Sequence, residues 1–439
     1  MKSLYRLPLF FAMFLPLAAA GQKSWTLQEC IRYAWENNIQ LKQQEIASEQ
    51  NKNNVLEAKM EFLPTVNSSV SHSMNWGRSV NMNDLQIIRN QLSQSTSVSL
   101  SASLTLFNGF AKQNNVASKK LLYEISELDA EKIKNNISLQ ISKAYLQILL
   151  SKEILRVSEE NYKSIFEQVE RTRKLVSAGN MAMGSQLEME AQLASGRVQV
   201  VDAQSQLKTN LLTLRQLLTL PENEVFEIAT PDIEGKIKSF MGENVNDLYN
   251  RSLNLPQIKS AKIAEENYAL QLKIAKAQMM PSVRMSASYG SYFADSRSES
   301  FFNQIKDNRN PSLGFSLSIP IFNALNAKTS VKNSRLALRS ASLNVIDWQQ
   351  QIYKEVEQAN NDALSYFEKL LASEQNVKSM EESFRYVKEK FNIGALNATD
   401  YTVSSTNLLK AKSEYLQAKY QFVFQLKVLD FYKGIEIVL

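Results

Sequence analysis

The sequence predicts a mainly α-helical protein with an internal duplication and a β-sheet portion that could form part of a transmembrane β-barrel. Three observations predict this fold class. Residues 110–178 and 321–393 contain neither glycine nor proline, so each can form a helix of about 100 Å. Segments before both stretches alternate apolar and small polar residues. The two halves of the chain also repeat each other at an almost constant offset.

The N-terminus has the layout of a secretory signal peptide. Lys2 and Arg6 precede an apolar run over residues 7–17, and small residues follow up to Gly21. A membrane anchor is the alternative, but this run is shorter than the roughly 18 apolar residues that a spanning helix needs. We expect cleavage near Gly21 or Gln22.

Four segments have the alternation of β-strands. Ser97–Phe107 places Val, Leu and Ala side chains on one face and Ser or Thr on the other, and residues 312–322 repeat this pattern. Residues 65–76 and 282–293 alternate in the same way. Each segment reaches the 9–11 residues or so of a tilted transmembrane strand. The polar segments 77–96 and 294–311 are expected to be loops.

A soluble antiparallel sheet packed on a core is the alternative interpretation, because it alternates too. The signal peptide, the serine-dominated second face and the aromatic residues near the strand ends favour a membrane sheet. Four strands cannot close a barrel, and an open sheet edge is not stable in lipid. The membrane interpretation therefore requires further copies of the chain.

The long helices carry an apolar heptad repeat. In the first half the repeat is Ile141, Ile148, Leu155, Tyr162, Val169 and Val176, and 215 residues later it is Val356, Ala363, Leu370, Val377, Phe384 and Phe391. Six consecutive heptads predict coiled-coil packing against a neighbouring helix. A long helix in an ordinary globular core would show a wider apolar stripe.

Each long helix is expected to end in a short turn and return. Gly179 and Gly394 are placed to end the helices, since glycine takes positive φ without strain. Ser185 and Glu188 have the spacing of a capping box for the first returning helix. Thr399 or Asp400 would cap the second.

The duplication has an offset of 217 residues before the strands and 215 after them. Residues 38–42 match 255–259, Leu63-Pro64 matches Met280-Pro281, and Gly179 matches Gly394. The joint, residues 221–244, contains two prolines and two glycines and suits a connector with a short helix.

Several classes of function lack support in the sequence. One cysteine, Cys30, and one histidine, His72, provide neither a disulfide framework nor a zinc site. No nucleophile elbow or P-loop is present, so we expect no enzyme activity and no cofactor. A net charge of +6 with interspersed signs does not favour nucleic-acid binding. Cys30 is expected to be a packed side chain.

Taken together, these features resemble the TolC-like outer membrane efflux protein family over almost the whole mature chain. The motifs that carry the resemblance are Thr26-Leu-Gln-Glu29, Phe62-Leu-Pro64, Phe107-Asn-Gly109, Ala178-Gly179 and the run from Ile393 to Asp400. The resemblance implies a homotrimer with a twelve-stranded barrel in outer membrane lipid and an α-helical tunnel across the periplasm. It also implies docking to a periplasmic membrane-fusion adaptor protein and an inner-membrane pump.

The expected organisation follows from these patterns and the resemblance. The segments are a signal peptide (1–21), N-terminal periplasmic helices (22–64), a first β-hairpin (65–107), a first helical hairpin (108–220), an equatorial connector (221–244), a periplasmic helix (245–281), a second β-hairpin (282–322) and a second helical hairpin with the C-terminal end (323–439).

The resemblance also implies functional residues at the tips of the helical hairpins. A pore-facing acidic residue of the family matches Asp400, while a second acidic position one turn later is Val403 here. Polar residues that lock a closed tip match Ser185, Phe391 and Leu396, of which only Ser185 retains a hydrogen-bonding side chain. Asp400 could serve as a plain helix cap, as a ring of charge in the pore, or as both.

The tip turns are also candidate adaptor contacts. They contain Gly179, Met181, Met183, Gly394 and Leu396, and adaptable apolar side chains suit docking surfaces. Packing between neighbouring hairpins is the alternative role for Met181, Met183 and Leu396.

The sequence therefore predicts a passive outer-membrane exit duct of a tripartite efflux or type I secretion system. The alternative is a periplasmic coiled-coil scaffold without channel activity. The identity of the cargo, whether drug, metal ion or protein, is not encoded in any motif of the chain.

Overall fold

The computed structural model describes residues 24–80, 86–221, 226–231 and 240–439. In chain order the elements are β1 (Ser24–Trp25), α1 (Leu27–Asn37), α2 (Ile39–Met60), β2 (Thr65–Val80), β3 (Ile87–Asn108), α3 (Ala111–Ser177), α4 (Met183–Leu218), β4 (Glu227–Ile228), α5 (Val245–Ser252), α6 (Pro256–Ala277), β5 (Ser282–Ala294), α7 (Phe301–Asp307), β6 (Asn310–Ser318), α8 (Asn326–Asn392) and α9 (Ala398–Tyr432). The predicted signal peptide and the short helix of the connector lie outside the described residues.

The element lengths confirm the duplication. α2 and α6 have 22 residues each, α3 and α8 have 67 each, and α4 and α9 have 36 and 35. A mainly helical fold with four long strands is therefore confirmed. No helix within the described ranges combines the length and the apolar character that crossing a membrane requires.

The long helices pack side by side in one layer. Along the first half of its length α3 lies between α2 and α6, and α6 in turn packs against α8. Along its second half α3 lies between α4 and α9, and α9 packs against α8. The layer is four helices wide beside each half of α3. One edge is α8, and the other is α2 beside the first half and α4 beside the second.

The heptad positions face these neighbours, as predicted. Ile141, Ile148 and Val169 are buried, and so are Val356, Ala363 and Leu370 at the matching positions of α8. The remaining heptad positions are half-buried, except Phe391, which is fully buried. The seam holds each long helix against the next one.

The strands form one antiparallel sheet with the order β2-β3-β5-β6. The prediction of a loop over residues 77–96 is wrong, because β2 and β3 continue to Val80 and from Ile87. The segment 294–311 contains the short helix α7 instead of a simple loop. The strand predicted over 312–322 ends at Ser318, shortly before Pro320, which has no N–H for a ladder hydrogen bond.

A sharp turn connects each sheet strand to its long helix. Gly109 and Phe110 both have positive φ, and Ala324 and Leu325 repeat this conformation 215 residues later. A Cβ atom on Gly109 would lie 2.9 Å from the Cβ of Met280, so glycine is required there by close approach as well as by conformation.

A compact core lies in the mid-section of the molecule. β1 and β4 pair in parallel, and the Tyr145 hydroxyl of α3 donates to the carbonyl oxygens of Trp25 (3.1 Å) and Ala229 (2.7 Å). Cys30 is fully buried in the same core. These contacts connect the N-terminal segment and the connector to the first long helix.

Candidate functional site

One face of the sheet is lined with small polar side chains. The residues of β2, β3, β5 and β6 on this face are mainly serines in direct register. Their hydroxyls form cross-strand pairs, which are Thr65–Ser103 (2.8 Å), Ser69–Ser99 (2.7 Å), Ser71–Ser97 (2.7 Å) and Ser288–Ser312 (2.6 Å). This serine face is a smooth, wettable surface without bulky side chains along most of its length.

The serine face carries a charged residue at the end nearest the long helices. Arg284 lies opposite Thr105 on β3 and Ser316 on β6, near the end of the sheet from which α3 begins. Its side chain is exposed. A guanidinium remains charged at any physiological pH, so this end of the face carries a fixed positive charge.

The opposite face of the sheet is apolar and largely exposed on β2 and β6. Val66, Val70, Leu313 and Phe315 are 61–69% exposed. A contiguous apolar patch of this kind marks a surface that contacts lipid or protein. His72 lies on this face and pairs with Thr96 through its Nδ1 at 2.9 Å, so its polar atom is satisfied within the sheet.

The second candidate region is the pair of tips at the far end of the helical layer. Gly179 and Gly394 end α3 and α8 with φ of +74° and +75°, as predicted. The N–H groups of Gly179 and Asn180 donate to the carbonyls of Val176 and Leu175, and Gly394 and Ala395 do the same with Phe391 and Lys390. The two tips therefore have the same backbone geometry.

The predicted caps of the returning helices are wrong in detail. α9 is capped by Asn397, whose Oδ1 accepts from the Asp400 N–H at 2.7 Å, so Asp400 lies inside the first turn. α4 begins at Met183 after Ala182, which has no capping side chain, and Ser185 and Glu188 form no capping box. Asparagine reaches the N-terminal N–H groups as well as aspartate does, which leaves Asp400 free of the capping role.

Asp400 and Ser185 occupy equivalent positions. Each is the third residue of its helix, and their numbers differ by the duplication offset of 215. Asp400 is exposed and Ser185 half-buried. A carboxylate in the first turn is also stabilised by the helix dipole.

Sequence reasoning considered Glu188 only as part of a capping box and missed it as an acidic residue of the tips. Val403, one turn after Asp400, is 53% exposed and carries no charge, but its counterpart in the first half is Glu188. The Thr399 hydroxyl donates to Glu188 Oε2 at 3.3 Å, which places this carboxylate beside the start of α9. The 215-residue offset was the signal that could have identified it.

An apolar cluster joins the two tips. Ile165 and Val169 of α3, Met189 of α4, Phe391 of α8 and Tyr401 of α9 are fully buried together. The Phe391 and Tyr401 ring centroids are 5.1 Å apart. Phe391 is therefore a core residue of the chain and has no exposed surface for a polar lock.

The other residues predicted at the tips divide into two groups. Met181 and Leu396 are half-buried against the apolar cluster. Met183 is 56% exposed, and Gly179 and Gly394 are exposed as well. The structure brings all of these residues to one end of the molecule but leaves only the second group facing solvent.

Charged side chains stabilise the first hairpin beside the tip. Arg173 of α3 pairs with Glu190 of α4 at 2.8 Å. The hydrogen bond from Arg173, followed by one from Gln186, lowers the pKa of Glu190. Burial raises the pKa of the Tyr401 hydroxyl in the adjacent cluster, so both groups keep their usual charge states at neutral pH.

Comparisons with known proteins give a consistent result. A family model described as "Outer membrane efflux protein" matches residues 30–219 and 248–434. The chain is 21% identical to the outer membrane protein TolC of Escherichia coli K12 over 341 residues, covering 75% of this chain and 68% of that one. It is 20% identical to the outer membrane efflux protein BepC of Brucella suis over 409 residues, covering 93% and 85%. Its fold is similar to the crystal structure of CusC, with a TM-score of 0.80, 16% identity and 99% coverage of both chains.

Proposed function

Because the chain belongs to the outer membrane efflux protein family, we propose that it is the exit duct of a tripartite efflux or type I secretion system. In this role it conducts cargo passively, and an inner-membrane pump supplies the energy. The observation that carries the proposal is the two-faced sheet. A serine face suits a water-filled lumen, and an exposed apolar face on the same strands suits contact with outer membrane lipid.

The open edges of the molecule support assembly into a homotrimer. β2 and β6 are the outer strands of the sheet, and each has one side without a described partner strand. The helical layer ends in α8 on one side and in α2 and α4 on the other. Joining the β2 edge of one copy to the β6 edge of the next continues both layers, and three copies give a twelve-stranded barrel above a helical tunnel.

The constriction is proposed at the tips. In a trimer, three copies of Asp400 would form a ring of carboxylates, with Ser185 at the equivalent position of the other hairpin. Glu188 adds a second acidic position close to this ring. Such a ring attracts cations through the combined negative charge of its members.

The tip surface is the proposed docking site for a periplasmic adaptor protein. Met183 provides an exposed, adaptable apolar side chain, and the turns at Gly179 and Gly394 flank it. Met181 and Leu396 contribute less, because both pack against the apolar cluster.

The test is native mass determination of the detergent-extracted protein followed by single-channel recording in a planar bilayer. We expect a trimer with a cation-preferring conductance, and a smaller cation preference in Asp400→Asn. Asp247→Asn is the matched control, because Asp247 is also an exposed third residue of a helix capped by asparagine. A monomer that needs no detergent and never conducts would contradict the proposal and favour a helical scaffold.

A further inference from the structure

The connection between β5 and β6 breaks the duplication. In the first hairpin, β2 and β3 extend beyond the point at which β5 and β6 end. In the second hairpin, the helix α7 lies between the two strands in the sequence. α7 folds back onto the apolar face of the sheet, where the Ser291 hydroxyl donates to the Ile305 carbonyl at 2.5 Å. The Phe293 and Phe301 rings, with centroids 5.1 Å apart, lie on the same side.

Hydrogen bonds fix α7 in this position. Gln304 is 2% exposed, and its amide bonds both the N–H (3.0 Å) and the C=O (3.1 Å) of Ala294 as well as the carbonyl of Glu299 (2.8 Å). Asn308 donates to the Tyr292 carbonyl at 2.7 Å. A side chain with this many partners anchors the helix to the strand, so the space beside α7 is preformed.

That space is a cavity of about 310 Å³ between α7 and the sheet. Its apolar wall consists of Val98, Leu100 and Tyr289 from the strands and Phe302 and Ile305 from the helix. Phe302 is 82% exposed, although it lies at the mouth of the cavity. An apolar wall that continues into the exposed face of the sheet suits a hydrocarbon chain.

Two cations contribute to the lining. Lys306 lies in the last turn of α7 and Arg309 two residues after the helix ends, and both are exposed. The Arg309 Nε donates to the Lys306 carbonyl at 2.5 Å, which holds the guanidinium against the C-terminal end of α7. Neither residue forms an ion pair with a carboxylate that the structure describes. The mouth of the cavity therefore has a positive charge without a described counter-ion.

We propose that this cavity binds an anionic, phosphate-bearing membrane lipid, with an acyl chain against the apolar wall and the phosphate between Lys306 and Arg309. Charge complementarity selects the headgroup, because paired basic side chains at a membrane surface attract phosphate. The aromatic side chains of α7 suit the interfacial level at which headgroups lie. The inference rests on the proposed position of the sheet in the membrane.

The experiment is native mass spectrometry of the detergent-extracted full chain with added phosphatidylglycerol or phosphatidylcholine. We expect phosphatidylglycerol to be retained preferentially, and the variant carrying Lys306→Gln and Arg309→Gln to retain it roughly 30-fold less, the factor for two surface cations. The control variant carries Lys354→Gln and Lys369→Gln, which remove two exposed charges from α8. It should retain lipid like the unmodified protein.

Three results would overturn the inference. Equal retention of the two lipids would exclude charge selection, and unchanged retention in the Lys306 and Arg309 variant would place the lipid elsewhere. Displacement of the lipid by inorganic phosphate alone would show an anion site without a role for the acyl chain. None of these results depends on conductance, so a failure here is distinct from a failure of the proposed duct.

Discussion

At the scale of single residues, burial makes the Cys30 thiol unreactive. The thiol is fully buried in the mid-section core, and burial, aided by the charge of Glu29, raises its pKa from 9.0 to about 12. Thiolate formation is required for nucleophilic chemistry. Cys30 is therefore a packing residue, as the sequence predicted.

This pKa shift predicts a loss of stability in alkali. The pKa of Cys30 is higher in the folded than in the unfolded protein. Its contribution to the free energy of unfolding is therefore fully present below pH 9 and is lost as pH rises from 9 towards 12. We expect the thermal unfolding midpoint, followed by circular dichroism, to fall over this range. Cys30→Ala should have a shallower pH dependence, and an equal slope in both proteins would contradict the assignment.

Arg284 gives a second prediction at this scale. If the serine face lines the lumen, its fixed charge opposes cations, so Arg284→Gln should shift the reversal potential in a salt gradient towards greater cation preference. Ser286→Gln, a neighbour on the same face, adds bulk without changing charge and is the control. Equal shifts in the two variants would mean that the charge of Arg284 is not responsible.

At the scale of elements, the hairpin tips depend on two glycines whose geometry has been conserved between the two halves of the chain. Gly179 and Gly394 adopt left-handed backbone conformations in open space, so conformation alone requires them. Gly184, five residues after Gly179, has no positive φ and also meets no neighbouring atom within 4 Å of a built Cβ. The two kinds of glycine should respond differently to substitution.

We expect Gly179→Ala to destabilise the first hairpin by about 1 kcal/mol, because an alanine Cβ is strained at positive φ. Gly184→Ala lies within α4, where alanine is the better helix former by at most about 1 kcal/mol, and should be neutral or stabilising. Thermal unfolding of the two variants measures the contrast. A loss of stability in both would indicate a contact at Gly184 made by another copy of the chain.

At the scale of the whole molecule, adjacent residues of a strand lie on opposite faces of the sheet and face different environments. Val70 is 69% exposed on the apolar face, while Ser71 on the other face pairs with Ser97 at 2.7 Å. No side chain of the described chain covers Val70. The proposed position in the outer membrane, with lipid on the apolar face and water on the serine face, makes both arrangements favourable at once.

A matched pair of substitutions tests this arrangement. Val70→Arg should reduce the amount of protein in the outer-membrane fraction, because an arginine facing lipid costs about 2–4 kcal/mol near the bilayer midplane. Ser71→Arg should insert normally, since its side chain enters water. Quantification of both variants in membrane fractions is the measurement. Equal insertion would show that the sheet does not lie in lipid.

The sequence by itself determined the features that depend on local periodicity. Stretches free of glycine and proline set the lengths of α3 and α8, and alternation assigned serine and apolar faces to the strands. The duplication was visible because equivalent positions keep equivalent residues. The helix lengths and strand faces need only neighbours within a few residues of each other along the chain. The duplication needs only a comparison of the two halves of the sequence.

Only the tertiary structure decided which distant residues meet. Glu188 reaches Thr399 across 211 residues, and Phe391 is buried by helices of both hairpins. The fold-back of α7 likewise depends on Gln304 finding Ala294 across a turn without apolar periodicity. Such contacts depend on the path of the whole chain, which local propensity does not encode, and they place the tip cluster and the cavity beside α7.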